Sequence, residues 1–195
     1  ANIHPYRAHS HFLYFTGTAW PGAVLLGEDD EWEIFAAPPA PDDALWIGPS
    51  ASWEALAAAI GVQAVRPIAE LPDALAARGG AQAVATVPAI HPLTRARQAA
   101  LFARPWGLHD ESQHGAVPLA DPDSALADAL IALRLRHDPA ALGHLREAVA
   151  ITRRAHLAGM AITSPGRREC EVRAAIEREF TALGACPAYG SIVSV

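Results

Sequence analysis

Lysine is missing altogether: the fifteen basic residues among 195 are all arginine. That excludes a Walker A phosphate loop, a kinase strand lysine and a Schiff-base lysine. Cysteine is nearly missing too. Cys170 and Cys186 alone are too few for a disulfide framework or a zinc knuckle, and they are read as reduced thiols of a cytoplasmic protein. Half of the chain is hydrophobic (51%), yet no apolar run approaches the ~20 residues of a membrane span. A basic stripe is also lacking. The arginines are scattered and the net charge is −6, which argues against nucleic acid or an anionic membrane as partner. There is no Gly-x-Ser-x-Gly elbow, and neither cysteine has a local activating signature. Met160 is the sole methionine. The expectation is that the start was processed away or that the chain was cut from something longer, and Ala1 opens without a visible signal peptide.

What is present reads first as strands. In "HPYRAHSHFLYFTG", His4 to Gly17, aromatic residues alternate and a Thr-Gly pair follows, which predicts a buried strand ending in a turn. Ala23–Leu26 and Trp32–Ala36 predict two more, and the three would form a meander. Ser50 or Ser52 is placed to cap a helix over Trp53–Ile60, with Gly61 to end it. A strand over Val62–Arg66, a helix over Ala69–Arg78 closed by Gly79-Gly80, and a strand over Ala83–Val87 come next. A helix with Arg95, Arg97 and Arg104 on its wet side follows. Such alternation predicts an α/β layer.

The last sixty or so residues turn helical. Asp121-Pro122 and Asp138-Pro139 are cap-plus-first-turn pairs. The first opens a helix with Leu126, Leu130 and Leu133 on one face; the second opens the longest helix, whose Leu142, Leu145, Val149, Thr152 and His156 fall at helical spacing. A third helix, after Ser164-Pro165-Gly166, would bury Val172, Ile176, Phe180 and Leu183, with Gly184 just past its end. Arg167-Arg168 at its start oppose the helix dipole and read as a solvated turn. Tyr189–Val195 reads as the start of a strand. The domain boundary is drawn at His137/Asp138, giving segments 1–137 and 138–195.

Histidines offer the only tempting ligands. His9 and His11, two apart on a strand, share a face and could reach a common metal with His4. No nearby carboxylate or cysteine completes a shell, so they are read as the polar face of the strand. His156 reads as a hydrogen-bonded core residue, and His137 and His144 as surface. His109 and His114 flank an acidic loop whose spacing matches no site.

Two stretches carry more than spacing does. In "HPYRAHSHFLYFTG" followed by "PGAVLL", Tyr6, Arg7, Ser10, Phe12, Tyr14 and Gly17 resemble an element of the N-terminal domain of aminopeptidase P and prolidase. The second stretch runs from "RLRHDPAALGHLREAVAITRRAHLAGM" through "SPGRRECEVRAAIEREFTALGACPAYGSIVSV". It is similar to the segment that opens the pita-bread catalytic domain of the same family. Arg136, Asp138, Pro139, Arg146, Ala148, Met160, Gly166, Glu169, Phe180, Gly184, Tyr189, Ile192 and Val193 carry that likeness. His137 stands where a lysine is usual, and Arg167 replaces a common capping threonine.

The resemblance implies a creatinase-like α/β N-terminal domain, a mixed sheet with flanking helices whose beginning is missing, over 1–137. Residues 138–195 would then be the first helices and strand of an incomplete α+β pita-bread domain. It further implies an enzyme that hydrolyses the bond before proline with a hydroxide activated by two divalent metal ions, commonly manganese, with zinc or cobalt as alternatives. Proline-containing peptides are the implied substrates and a homodimer or homotetramer the implied assembly. The family's five metal ligands lie downstream of the Ile-Val strand, so no catalytic or metal-binding residue is expected here and the chain alone is expected to be inactive. Trp46, in "ALWIG", aligns with a tryptophan that reaches a neighbouring subunit's active site; a buried strand anchor is the other reading of it. Other readings of the whole are an Xaa-Pro dipeptidase, a non-catalytic dimerising or binding module, and a creatinase-like parent acting on another C–N bond.

Overall fold

A computed structural model describes residues 7–40, 42–89, 91–104, 106 and 119–194, with the side chains of residues 46 and 47 outside the description. Contacts divide the chain into two compact units, Ala1–Ala129 and Leu130–Val195.

The first unit holds a three-stranded sheet in the order β1-β2-β3. β1 (Val24–Glu28) and β2 (Glu31–Ala36) form an antiparallel hairpin, and β3 (Ala64–Pro67) joins β2 in parallel after a crossover. The hairpin turn places Asp29 at φ 51, a left-handed conformation that Asp tolerates. Gln63, just before β3, fastens this turn: its side-chain oxygen accepts the N–H of Trp32 and its amide donates to the carbonyl of Asp30. Neighbouring residues on a strand point to opposite faces. Ile34 and Phe35 are both fully buried, so both faces of β2 are covered. On one side Phe35 and Leu26 pack with Leu71, Ala74 and Leu75 of α4 (Leu71–Ala77), Phe102 of α5 (Pro92–Phe102) and Trp106.

The expected meander is therefore only a hairpin, because its first strand is a helix. α1 (Ser10–Thr16) begins where the Nδ1 of His9 accepts the N–H of His11 and ends at Gly17, φ 66, whose N–H bonds to the carbonyl of Leu13. Within α1 Thr16 is the buried position, and its hydroxyl donates to the carbonyl of Phe12 one turn back.

α3 (Trp53–Ile60) is as expected, with the hydroxyl of Ser52 accepting the N–H of Ala55 and Gly61 left-handed at φ 84. α2 (Asp43–Ile47) precedes it. The helix expected over Ala69–Arg78 is a 3-10 turn, Ile68–Glu70, running into α4, and Gly79 and Gly80 follow with positive φ.

No strand forms over Ala83–Val87. Side chains take the hydrogen bonds that a ladder would have made: Arg104 binds the carbonyls of Ala81, Gln82 and Val84, Asp123 accepts the N–H of Thr86, and Gln98 binds the carbonyl of Val87 and the N–H of Ala89. Of the arginines expected on the wet side of α5, Arg97 is exposed as expected, while Arg95 and Arg104 are corrected by contacts of the same kind. Arg95 is buried and donates to the carbonyl of Ala89, and Arg104, beyond the helix end, is almost enclosed.

α6 (Asp123–Arg134) starts one residue after Pro122 and runs across the division between the units. Leu130 is buried on it but Leu133 is exposed.

In the second unit α7 (Pro139–Ile162) packs against α8 (Glu169–Ala182). Asp138 caps α7 by accepting the N–H of Ala141 at 2.7 Å. The packed face is Ala155 and Gly159 rather than the predicted leucine row, because small residues let the helix axes approach. A Cβ on Gly159 would stand 2.8 Å from Cγ1 of Ile176. Leu142, Leu145 and Val149 stay exposed, as does His156, whose Nδ1 meets the carbonyl of Thr152 and not a core partner. On α8, Val172, Ile176 and Phe180 are half-buried while Leu183 is exposed.

At the start of α8 the two arginines do not merely oppose the dipole. Glu171 accepts the N–H of Arg168 at 2.9 Å and pairs with the guanidinium of Arg167, so the helix end is compensated. From Tyr189 to Ser194 no strand forms; Tyr189 and Ile192 stand open to solvent, without a neighbouring strand among the described residues.

Candidate functional site

The backbone places Trp46 in α2, a single exposed helical turn rather than a strand, and its side chain lies outside the described residues. The carboxylate of Asp43 accepts the N–H of Ala40 at 2.7 Å, Gly48 closes the turn at φ 80, and Leu45 is 82% exposed. α2 is thus a small projection with apolar side chain in water.

Among the described residues the histidines do not gather into a ligand cluster. The rings of His9 and His11 lie 5.1 Å apart, but the Nδ1 of His9 is occupied in capping α1. His4, His109 and His114 fall outside the described residues, while His137 and His144 are exposed as expected. Among the described residues no three His, Cys, Asp or Glu side chains come close enough to hold a metal ion. The donor set of the described residues does not fit a two-metal centre. Cys170 and Cys186 are free and exposed.

An open cleft of about 290 Å³ in the first unit is bordered by Gln82, Arg104, Trp106, Asp121 and Asp123. Its charge is spent internally. The guanidinium of Arg104 contacts the carboxylate of Asp123, three carbonyl oxygens, and the faces of Phe102 and Trp106 at 5.3 and 5.8 Å. A cation so fully engaged is a structural clamp. The "FARPW" string, an arginine between two aromatics, carried the signal for it.

Elsewhere charges pair across the sheet: Arg66 bridges Glu33 and Glu70, and Arg78 bridges Glu28 and Glu33. The bonds to Glu70 and Glu33 raise the pKa of Arg66. On α8 the Arg168 N–H, then Arg167, hold the carboxyl of Glu171 below the usual range, and Arg173 followed by Ser191 does the same for Glu177.

Residues 1–87 match the family model described as aminopeptidase P, N-terminal domain. Over that span the chain is similar to an aminopeptidase P N-terminal domain. The three-stranded mixed sheet with flanking helices is the α/β architecture of that domain. Among solved structures, aminopeptidase P from E. coli in its low-pH form matches at 24% identity and a TM-score of 0.69, over 93% of this chain and 42% of its own. Proline aminopeptidase P II from Yersinia pestis matches at 22% and 0.68, and a zinc-substituted E. coli aminopeptidase P in complex with product at 24% and 0.68, with the same two coverages. At these identities the likeness is one of fold. No curated protein matches. The chain spans 42% of the length of the aminopeptidase P structures it matches. Among the described residues no helix is long and apolar enough to cross a membrane.

Proposed function

We propose that this chain is the N-terminal domain and the opening of the catalytic domain of an Xaa-Pro metallopeptidase, an aminopeptidase that cleaves the bond before proline. The observation that carries the reading is the match of residues 1–87 to the aminopeptidase P N-terminal domain, continued by a fold likeness that covers 93% of the chain. The domain boundary falls between His137 and Asp138 in this reading, and 138–195 begin a pita-bread domain. The residues that would hold two divalent ions, manganese by preference, belong to the part of the relatives that has no counterpart here. When bound, such ions supply a hydroxide nucleophile and polarise the scissile carbonyl. This chain's own contribution is assembly and the shape of the substrate cleft. Trp46 is assigned to that cleft, presented from the α2 projection to a neighbouring subunit of a homodimer or homotetramer, where a flat ring suits a proline. The exposure of Leu45 beside it supports a turn whose apolar residues meet another surface.

The test is the product of the complete gene, characterised by intact mass, metal content and hydrolysis of Xaa-Pro peptides. A product heavier than 195 residues that holds about two divalent ions per subunit and cleaves a tripeptide before proline supports the reading. Cleavage of dipeptides alone would make it an Xaa-Pro dipeptidase, and a product of equal mass without activity would make it a non-catalytic module. The Trp46→Ala variant of the active product is expected to lose kcat/KM with its melting temperature unchanged.

A further inference from the structure

The histidine that starts α1 holds the helix with the one nitrogen that titrates. The Nδ1 of His9 accepts the N–H of His11 at 3.3 Å. A backbone N–H only donates, so Nδ1 presents its lone pair and the ring is the neutral tautomer with its proton on Nε2. In that tautomer Nδ1 is also the only basic site. The proton that an ordinary histidine takes up between about pH 7.5 and 5.5 therefore has to displace the cap. A serine or asparagine cap keeps its accepting oxygen throughout that range.

Protonation does more than remove a bond. A cation at a helix N-terminus opposes the dipole, and basic groups already gather there: the guanidinium of Arg7 donates to the hydroxyl of Ser10 at 3.1 Å, and the ring of His11 lies 5.1 Å from that of His9. Both histidines are half-buried and make further contacts. The helix has only seven residues, too few to persist in water unaided. Beyond its cap it leans on Phe15, whose ring stacks on Trp32 at 5.6 Å, and Trp32 in turn lies against Gly27, where a Cβ would stand 2.5 Å from the ring. The hairpin that carries Trp32 brings the acids Glu28, Asp29, Asp30 and Glu31, of which Glu28 pairs with Arg78. Carboxylates ordinarily titrate below the histidine range.

We infer that His9 is a pH-sensitive latch on α1. While Nδ1 is unprotonated the helix is capped and Phe15 stays on Trp32; a proton on Nδ1 uncaps α1 and releases Phe15 from the hairpin. The contribution of the cap is complete above the histidine range and is lost as pH falls through it. This device stands whether or not the parent is a peptidase.

Amide hydrogen exchange of the product of the complete gene tests this, compared at about pH 7.5 and about pH 5.5 after correction for the intrinsic rate at each pH. Loss of the cap together with the opposed charge corresponds to about tenfold in local opening, so the amides of 11–17 should exchange about tenfold faster at the lower pH. Those of α7 and α8 should not. His9→Asn, which caps without titrating, should abolish the acceleration, and His9→Ala should exchange at the higher pH as fast as wild type does at the lower. An unchanged wild type, or an acceleration shared by α7 and α8, overturns the inference. The same acceleration in His9→Asn also overturns it, by assigning the titration to His11 or to the acids of the hairpin. Nitrogen-15 spectra of the wild-type His9 ring, recorded above the histidine range, give a check that needs no variant: the proton is expected on Nε2, and a proton on Nδ1 sinks the latch.

Discussion

The guanidinium of Arg104 and the carboxylate of Asp123 meet in the interior of the first unit, nineteen residues apart in sequence. Asp123 is 2% exposed and opens α6, while Arg104 also gathers three carbonyls of the 81–84 segment. One ion pair therefore ties an irregular segment to a helix start. Removing the cation leaves a buried carboxylate uncompensated, so Arg104→Met is expected to cost about 3–5 kcal/mol. Urea unfolding would measure it. Asp123→Asn in the same background should recover part of that loss, since the orphaned charge goes.

Two glycines of α7 should respond in opposite directions. Gly143 has open space where a Cβ would stand, and Gly143→Ala should stabilise by about 1 kcal/mol through helix propensity. Gly159→Ala drives a methyl into Ile176 and should destabilise by about 1–3 kcal/mol. Thermal melts of both variants, with Ile176→Val added to the second as partial relief, decide the matter.

Acid should loosen the start of α8. The Arg168 N–H and Arg167 depress the carboxyl pKa of Glu171, so its contribution is complete above the ordinary carboxylate range and disappears as pH falls through the lowered value. Wild type should therefore exceed Glu171→Gln in melting temperature at about pH 7, and the difference should shrink as pH falls below the ordinary carboxylate range. A constant gap across that range would assign the effect of Glu171 to something other than its charge.

Gln63→Ala removes both bonds that fasten the β1-β2 turn. About 1–3 kcal/mol should be lost, and amide exchange should quicken first at Trp32, whose N–H the side chain holds.

Legibility in the sequence followed how local each cause was. The helix over Trp53–Ile60 was readable because Ser52 and Gly61 mark its ends with chemistry confined to a few residues. The front segment was misread because aromatics at alternate positions imitate a strand, while the features that make it helical, a histidine cap and a left-handed glycine, are weaker marks. The 83–87 segment has strand composition but no strand to lie beside; Arg104, Gln98 and Asp123, up to 37 residues away, supply its hydrogen bonds. Arg104 and Arg95 were assigned to water because charge usually is, and only the fold reveals that each has carbonyls to bind. The family likeness was legible through Tyr6, Arg7, Ser10, Phe12, Tyr14 and Gly17, and their segment lies within the span matched to the N-terminal domain.

The stretch from Ala81 to Ala89 has its path fixed through backbone atoms gripped by distant side chains. Its exposed positions, Gln82 and Ala83, are thereby released from the duty of specifying it, whereas Ala81 and Val84 pack against the core and the Thr86 hydroxyl accepts from Gln98. Among descendants of this gene, substitutions at Gln82 and Ala83 should accumulate freely, while Arg104, Gln98 and Asp123 drift slowly, so that this turn keeps its shape long after it has lost its spelling.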